Sequence, residues 1–342
     1  MPARSALFLG LALALGAAAA GAREFQRDIQ ETRPAEPGGT IDIINVAGRI
    51  SVQGWDQPQL EVSGTVGAKV ERVEVSSAGG HASVRVVLPA STGGDDDGSA
   101  WLTVRVPQRS ALNVSLVSAD LEVAELDGEA HLRTVSGNVS GALEGDAHVN
   151  TVSGDVQLKA PAARNLEVKT ISGNVNVYGA GGNVEVGTVS GDAELSLGTL
   201  QRGRFQTVSG NFGVGSTLAP GGDIDAESVS GDVMLRFATA PDATFDLQTF
   251  SGDIDNCFGP KPADTEYGPG TRLSFSSGSG AGHVRVETKS GDVSLCTRAP
   301  RQPRTPLPPV QPVPPLPPGG GTQAPPPPKP PQAPKAAAAA GG

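Results

Sequence analysis

Thr134-Val135-Ser136-Gly137-Asn138 reads TVSGN, and the phrase returns down the chain with small changes. TVSGD follows at Thr151–Asp155, TISGN at Thr170–Asn174, TVSGD at Thr188–Asp192 and TVSGN at Thr207–Asn211. SVSGD (Ser228–Asp232), TFSGD (Thr249–Asp253) and TKSGD (Thr288–Asp292) complete the set. Successive serines from Ser136 to Ser251 lie 17, 19, 18, 19, 21 and 21 residues apart, and Ser290 follows after 39. A period near 20 held over this many copies is the mark of a solenoid, in which each repeat buries its apolar face only against its neighbours.

With the serine as position zero, apolar residues fall at −6 and −4 (Leu166 and Val168, Val184 and Val186) and at +3 and +5 (Val156 and Leu158, Val175 and Val177). Polar residues such as Glu167, Lys169, Arg204 and Gln206 occupy −5 and −3. Period-two alternation on both sides of a Ser-Gly-Asp/Asn corner reads as strand, tight turn, strand. The +1 column is Gly137, Gly154, Gly173, Gly191, Gly210, Gly231, Gly252 and Gly291, suited to a positive φ at the corner. Beside it the +2 column is Asn138, Asp155, Asn174, Asp192, Asn211, Asp232, Asp253 and Asp292. Alternating amide with acid spaces out like charges in a stack, which points to a structural turn ladder. A calcium ladder needs several carboxylates per ion, and one acid per coil is too few. The Ser and Thr columns at 0 and −2 read likewise as hydrogen-bonding ladders, with no G-x-S-x-G nucleophile motif. Connectors such as Ala160–Asn165, Gly179–Asn183 and Ser216–Asp223 read as loops. The expected fold is all-β, a parallel β-solenoid of 17–21-residue coils.

Residues 1–22 read as a secretory signal peptide, with Arg4, an apolar run and an Ala20-Gly21-Ala22 cleavage site. No transmembrane segment is expected in the mature chain. Residues 23–107 alternate without the repeat phrase and read as an N-terminal β cap, in which Trp55 and Trp101 are expected to pack. Within it Val46–Ile50 resembles a degenerate corner. Residues 108–298 form the repeat region, entered through a weak corner at Val117–Asp120. His131 and His148 share position −5 and should be neighbours; they are read as solvated imidazoles, and no metal or cofactor is assigned. Cys257 and Cys296 both sit at +6. If Ser251 and Ser290 head adjacent coils, with 258–283 as an excursion between them, the two sulfurs stack and an exported chain would oxidise them. Two free thiols are the alternative. Residues 299–342 form a Pro-rich disordered tail, since 17 of the chain's 29 prolines lie in 300–342 with no acid among them. The tail's five cations (counted from Arg298) and Arg4 stand against a total charge of −10, so the body between them carries −16. So acidic a body argues against nucleic-acid binding.

The SGD/SGN solenoid, preceded by a strand ending Val104–Pro107 and closed by Arg272–Leu295, resembles a bacterial exported β-strand repeat family whose members are labelled candidate adhesins. The likeness covers roughly residues 40–297. It implies an envelope or surface role without catalysis and supplies no catalytic residues. The function expected is a non-enzymatic cell-envelope module, adhesin-like or scaffolding, in the periplasm or at the cell surface. Its ligand would be a polysaccharide, peptidoglycan or a protein, and the chain is expected to be monomeric. A periplasmic self-assembling scaffold and an envelope-stress accessory protein stand as alternatives. A polysaccharide-acting β-helix enzyme ranks behind them, because it needs clustered carboxylates in a cleft and the acids here are spread one per turn.

Overall fold

Parallel strands in register build the molecule, because every coil offers its neighbour the same row of backbone donors and acceptors. A computed structural model describes residues 27–89, 98–264 and 270–297, all within the unit Met1–Pro300. The expected signal peptide 1–22 and the expected tail 299–342 lie outside the described residues, as do residues 90–97. The fold is all-β and a parallel β-solenoid, as the alternation requires. Among the described residues no helix is long and apolar enough to cross a membrane.

The corner residues pair as one column: Ala47 with Ser118, Ser118 with Ser136, and onward through Ser153, Ser172, Ser190 and Ser209 to Ser230. Both weak corners are therefore members of the stack. Parallel pairing also reaches back into 23–107, where Thr40–Trp55 is flanked by His81–Val87 and Ala100–Pro107 on the side away from Ser118. Antiparallel strands finish that end: Arg72–Ala78 on His81–Val87, Gln59–Val66 on Ala100–Pro107, and Arg27–Pro34 outermost. Trp55 packs beneath Arg105, but Trp101 is 40% exposed, so the cap-packing expectation fails for it. Its place on the strand beside Leu102 puts it on the outward side of the pleat.

Coil order breaks at the other end. Ser230 pairs with Ser290, and Ser290 with Ser251, so the last coil of the chain is inserted between two that precede it. The five residues 238–242 carry the chain past the gap that this coil later fills. The coil of Ser251 is then covered by the antiparallel strand Thr271–Ser277. Cys257 and Cys296 are joined by a disulfide, with their Cα atoms 4.8 Å apart, between the outer coil and the inserted one.

Inward positions −6, −4, +3 and +5 form one apolar core, with Leu132, Val149, Val168, Val186 and Val156 fully buried. Aromatic rings collect in the wider coils toward the Ser251 end. Phe245 stacks on Phe275 at 4.7 Å, and Phe237 and Phe258 meet Phe245 edge-on. Two connectors depart from expectation. The connector 197–202 and the stretch Ser216–Asp223 are not loops; they lie inside the continuous strands Ala193–Ser209 and Phe212–Ser230. Leu200 pairs with Leu218 and is fully buried, and irregular steps on either side absorb the extra residues.

Candidate functional site

At each corner the +2 side chain accepts a hydrogen bond from the backbone N–H of the +2 residue one coil on. Asp120 accepts from Asn138 at 2.9 Å, Asn138 from Asp155 at 3.0 Å, and Asp155 from Asn174 at 2.8 Å. Asn174 then accepts from Asp192, Asp192 from Asn211, Asn211 from Asp232, Asp232 from Asp292 and Asp292 from Asp253. The corner interrupts the ordinary ladder, so a side-chain oxygen of Asx length satisfies a donor that the turn would otherwise strand. Gly173 has φ +142°, and a Cβ there would lie 2.1 Å from the carbonyl oxygen of Gly154. The same approach recurs at Gly137, Gly154, Gly191, Gly210, Gly231, Gly252 and Gly291, so stacking as well as φ demands glycine in this column.

The threonine column behaves otherwise. The hydroxyls of Thr134, Thr151, Thr170, Thr188, Thr207 and Thr288 are buried without a hydrogen-bond partner. Only Ser228 and Thr249 bond, to the carbonyls of Gly231 and Gly291. In-register hydroxyls sit a strand spacing of about 4.8 Å apart, too far to bond from coil to coil. The expected hydrogen-bonding ladder at −2 is therefore not formed by these six hydroxyls.

The outward face of the sheet carries lanes, one for each odd position before the corner. Nearest the corner, at −1, runs an apolar lane: Val117, Val135, Val152, Ile171, Val189, Val208 and Val229, then Lys289 and Phe250 in spatial order. Each of its apolar members is between 42% and 57% exposed. Alternation assigns −1 to solvent, so an apolar residue there in copy after copy breaks the pattern. That mismatch was the sequence signal for the lane.

Beside it the −3 lane is polar (Arg133, Asn150, Lys169, Gln206, Glu227, Glu287, Gln248) except at Gly187. Gly187 has neither a positive φ nor crowding, since an added Cβ would meet nothing nearer than the Lys169 side chain at 3.9 Å. A groove of about 750 Å³ follows these two lanes, lined by Lys169, Gly187, Val189, Val208, Gln248 and Phe250 among others.

The −5 lane is ionic. Arg204 lies 3.8 Å from Asp225, and Arg272 of the covering strand lies 3.2 Å from Asp246. Burial, followed by the neighbouring Glu227, pushes the Asp225 carboxyl above its ordinary range. Hydrogen bonds from Lys169 and then His148 hold Glu167 below it. His131 and His148 do become neighbours, with stacked rings 4.9 Å apart at 7°. Glu129, two residues before His131, joins them, a contact the repeat alignment from −6 to +6 did not include.

The Toastrack DUF4097 family model matches residues 48–296, and the chain belongs to this family. Among solved structures, a candidate lipid binding protein from Parabacteroides distasonis is 14% identical, covering 79% of this chain and 97% of its own, with a TM-score of 0.41. A candidate adhesin from Bacteroides fragilis is 14% identical, covering 81% and 100%, with a TM-score of 0.37. A candidate cell adhesion protein from Clostridium sporogenes is 8% identical, covering 80% and 100%, with a TM-score of 0.25. No curated protein sequence matches the chain.

Proposed function

We propose that this Toastrack protein is a non-enzymatic binding module of the bacterial cell envelope, exported by residues 1–22 and taking a protein ligand along the apolar lane. The observation that carries the reading is the lane itself, an aliphatic residue presented to solvent coil after coil beside a groove. Scattered surface apolar residues need no explanation, but a contiguous apolar row rimmed by polar side chains marks an interaction surface. Valine and isoleucine suit the apolar side chains of a protein partner. Sugar rings would call for aromatic platforms, and Phe250 is the lane's one aromatic member. Gly187 supports the same reading, because the backbone does not need glycine there and the missing side chain opens the groove. Antiparallel strands at both ends of the parallel stack favour a monomer over end-to-end assembly. In this reading the tail 299–342 is a basic spacer.

A photoreactive residue in place of Val189, activated in intact cells, tests this. The expected result is a protein adduct from that position and none from Glu194, which faces outward beyond the corner. Gly187→Gln should suppress the adduct at least tenfold while the protein melts no lower than the original, since glycine weakens a strand interior. Absence of the adduct, or its survival in Gly187→Gln, overturns the proposal.

A further inference from the structure

We propose that Glu129, His131 and His148 bind one divalent transition-metal ion of the zinc type. Glu129 immediately precedes the strand Ala130–Ser136, and its carboxylate turns to the side of the sheet that carries His131. Parallel pairing then sets His148 directly beside His131 in the next coil. Both imidazoles turn Nε2 toward the same carboxylate oxygen: Glu129 Oε1 is 3.1 Å from His131 and 3.5 Å from His148. The three donor atoms lie within 4.8 Å of one another. Zinc holds nitrogen and oxygen ligands at about 2.0–2.2 Å, so the edge of its tetrahedron is about 3.4 Å. The two distances to Glu129 bracket that edge, and metal binding requires the two stacked rings to turn their Nε2 atoms toward each other to close the third.

A second observation concerns the far side of His148. Its Nδ1 lies 3.1 Å from Glu167 Oε2, and Glu167 is itself held by Lys169, which also reaches Glu185 at 3.2 Å. A carboxylate accepts and cannot donate, so Nδ1 of His148 donates to Glu167. Nε2 is left directed at the Glu129 carboxylate, and a bound cation would sit between them. A carboxylate on the outer nitrogen of a metal-bound histidine is the usual means of orienting such a ring. Two imidazoles and one carboxylate suit zinc, copper or nickel, whereas calcium and magnesium call for oxygen alone. The side chains of Glu129, His131 and His148 are 53%, 42% and 31% exposed, so further coordination positions open to solvent.

The chain has four histidines, and His81 and His283 lie elsewhere, so they serve as internal controls. Tag-free protein titrated with zinc chloride by calorimetry, with imidazole resonances followed by NMR, provides the test. One ion per chain is expected, moving the resonances of His131 and His148 and not those of His81 or His283. His131→Gln and His148→Gln should each weaken binding at least tenfold. Glu167→Gln, acting through His148 as a positioning residue, should weaken it about 10–100-fold. Excess magnesium should not compete. No heat up to millimolar zinc, retained binding in the double histidine variant, or shifts centred on His81 or His283 would overturn the site. Unchanged affinity in Glu167→Gln would overturn the role given to Glu167.

Discussion

From Ser118 to Ser230 each coil stacks on the one that precedes it in the chain, whereas beyond Ser230 the order is rearranged. There the coil of Ser290 lies between those of Ser230 and Ser251. The first region is repetitive in its chemistry as well as its order: Asp120, Asn138, Asp155, Asn174, Asp192, Asn211 and Asp232 alternate acid and amide along the ladder. In the second, Asp232, Asp292 and Asp253 follow one another as three acids. The first region is held mainly by contacts between adjacent coils, with Arg236 reaching past the coil of Ser209 to Glu194 at 3.3 Å. The second adds a disulfide, a cluster of phenylalanines and a covering antiparallel strand. A repeat thus specifies the outline of a coil and the way two coils mate. It does not specify which two coils mate, and the rearranged end uses long-range devices to decide that.

The largest expected effect breaks the regular region. Gly173→Ala places a Cβ 2.1 Å from the Gly154 carbonyl at a φ that only glycine adopts readily. Steric overlap and backbone strain together cost about 2–6 kcal/mol, and denaturant unfolding should show that loss. Because each coil rests mainly on its neighbours, hydrogen exchange should rise on both sides of the altered corner.

Removing the disulfide with Cys257→Ser and Cys296→Ser comes next. Its loop closes a sequence separation of 39 residues, for which chain entropy gives about 3–4 kcal/mol. Exchange should quicken from Ala243 to Thr297 and stay unchanged from Ala130 to Ser190. Equal quickening in both regions would show that the two ends are not separately held.

The smallest effect concerns the turn that feeds the inserted coil. Asp242, in the connector that skips a coil, accepts from the Ser279 hydroxyl and the Gly280 N–H, each at 2.7 Å, and from the Ala281 N–H. The Ser279 hydrogen bond most of all holds its carboxyl below the ordinary range, against a smaller opposing effect of desolvation. Its contribution is therefore in place above the ordinary carboxylate pKa and is lost as pH falls through the lowered value in the folded protein. Exchange at Gly280 and Ala281 should quicken on acidification in that range, and Asp242→Asn should abolish the pH dependence. Residues of the regular coils should show no matching change.

Much of the coil was legible before any coordinates. Alternation fixed which side chains face inward, the SGD/SGN corner fixed the register, and matching +6 positions brought Cys257 and Cys296 together. The apolar lane went unread, although −1 should be polar and repeatedly is not. Less was visible wherever contact depended on positions outside the aligned repeat. Glu129 falls one step beyond the −6 boundary, and its convergence with two histidines depends on a side chain just before the strand as well as on parallel register. The stretch Ser216–Asp223 looks like a loop by composition, and becomes strand because Leu200 and Leu218 pair across the neighbouring coil.

The sequence by itself determined the coil, its corner and its inward face, since those depend on residues two to six positions apart. Only the tertiary structure decided the order of the last coils, the closure of both ends and the meeting of Glu129 with His131 and His148. The reason is that similar coils offer near-equivalent mating surfaces. A local pattern cannot rank them, and the choice falls to connector length, ring packing and a bond between cysteines far apart in the chain.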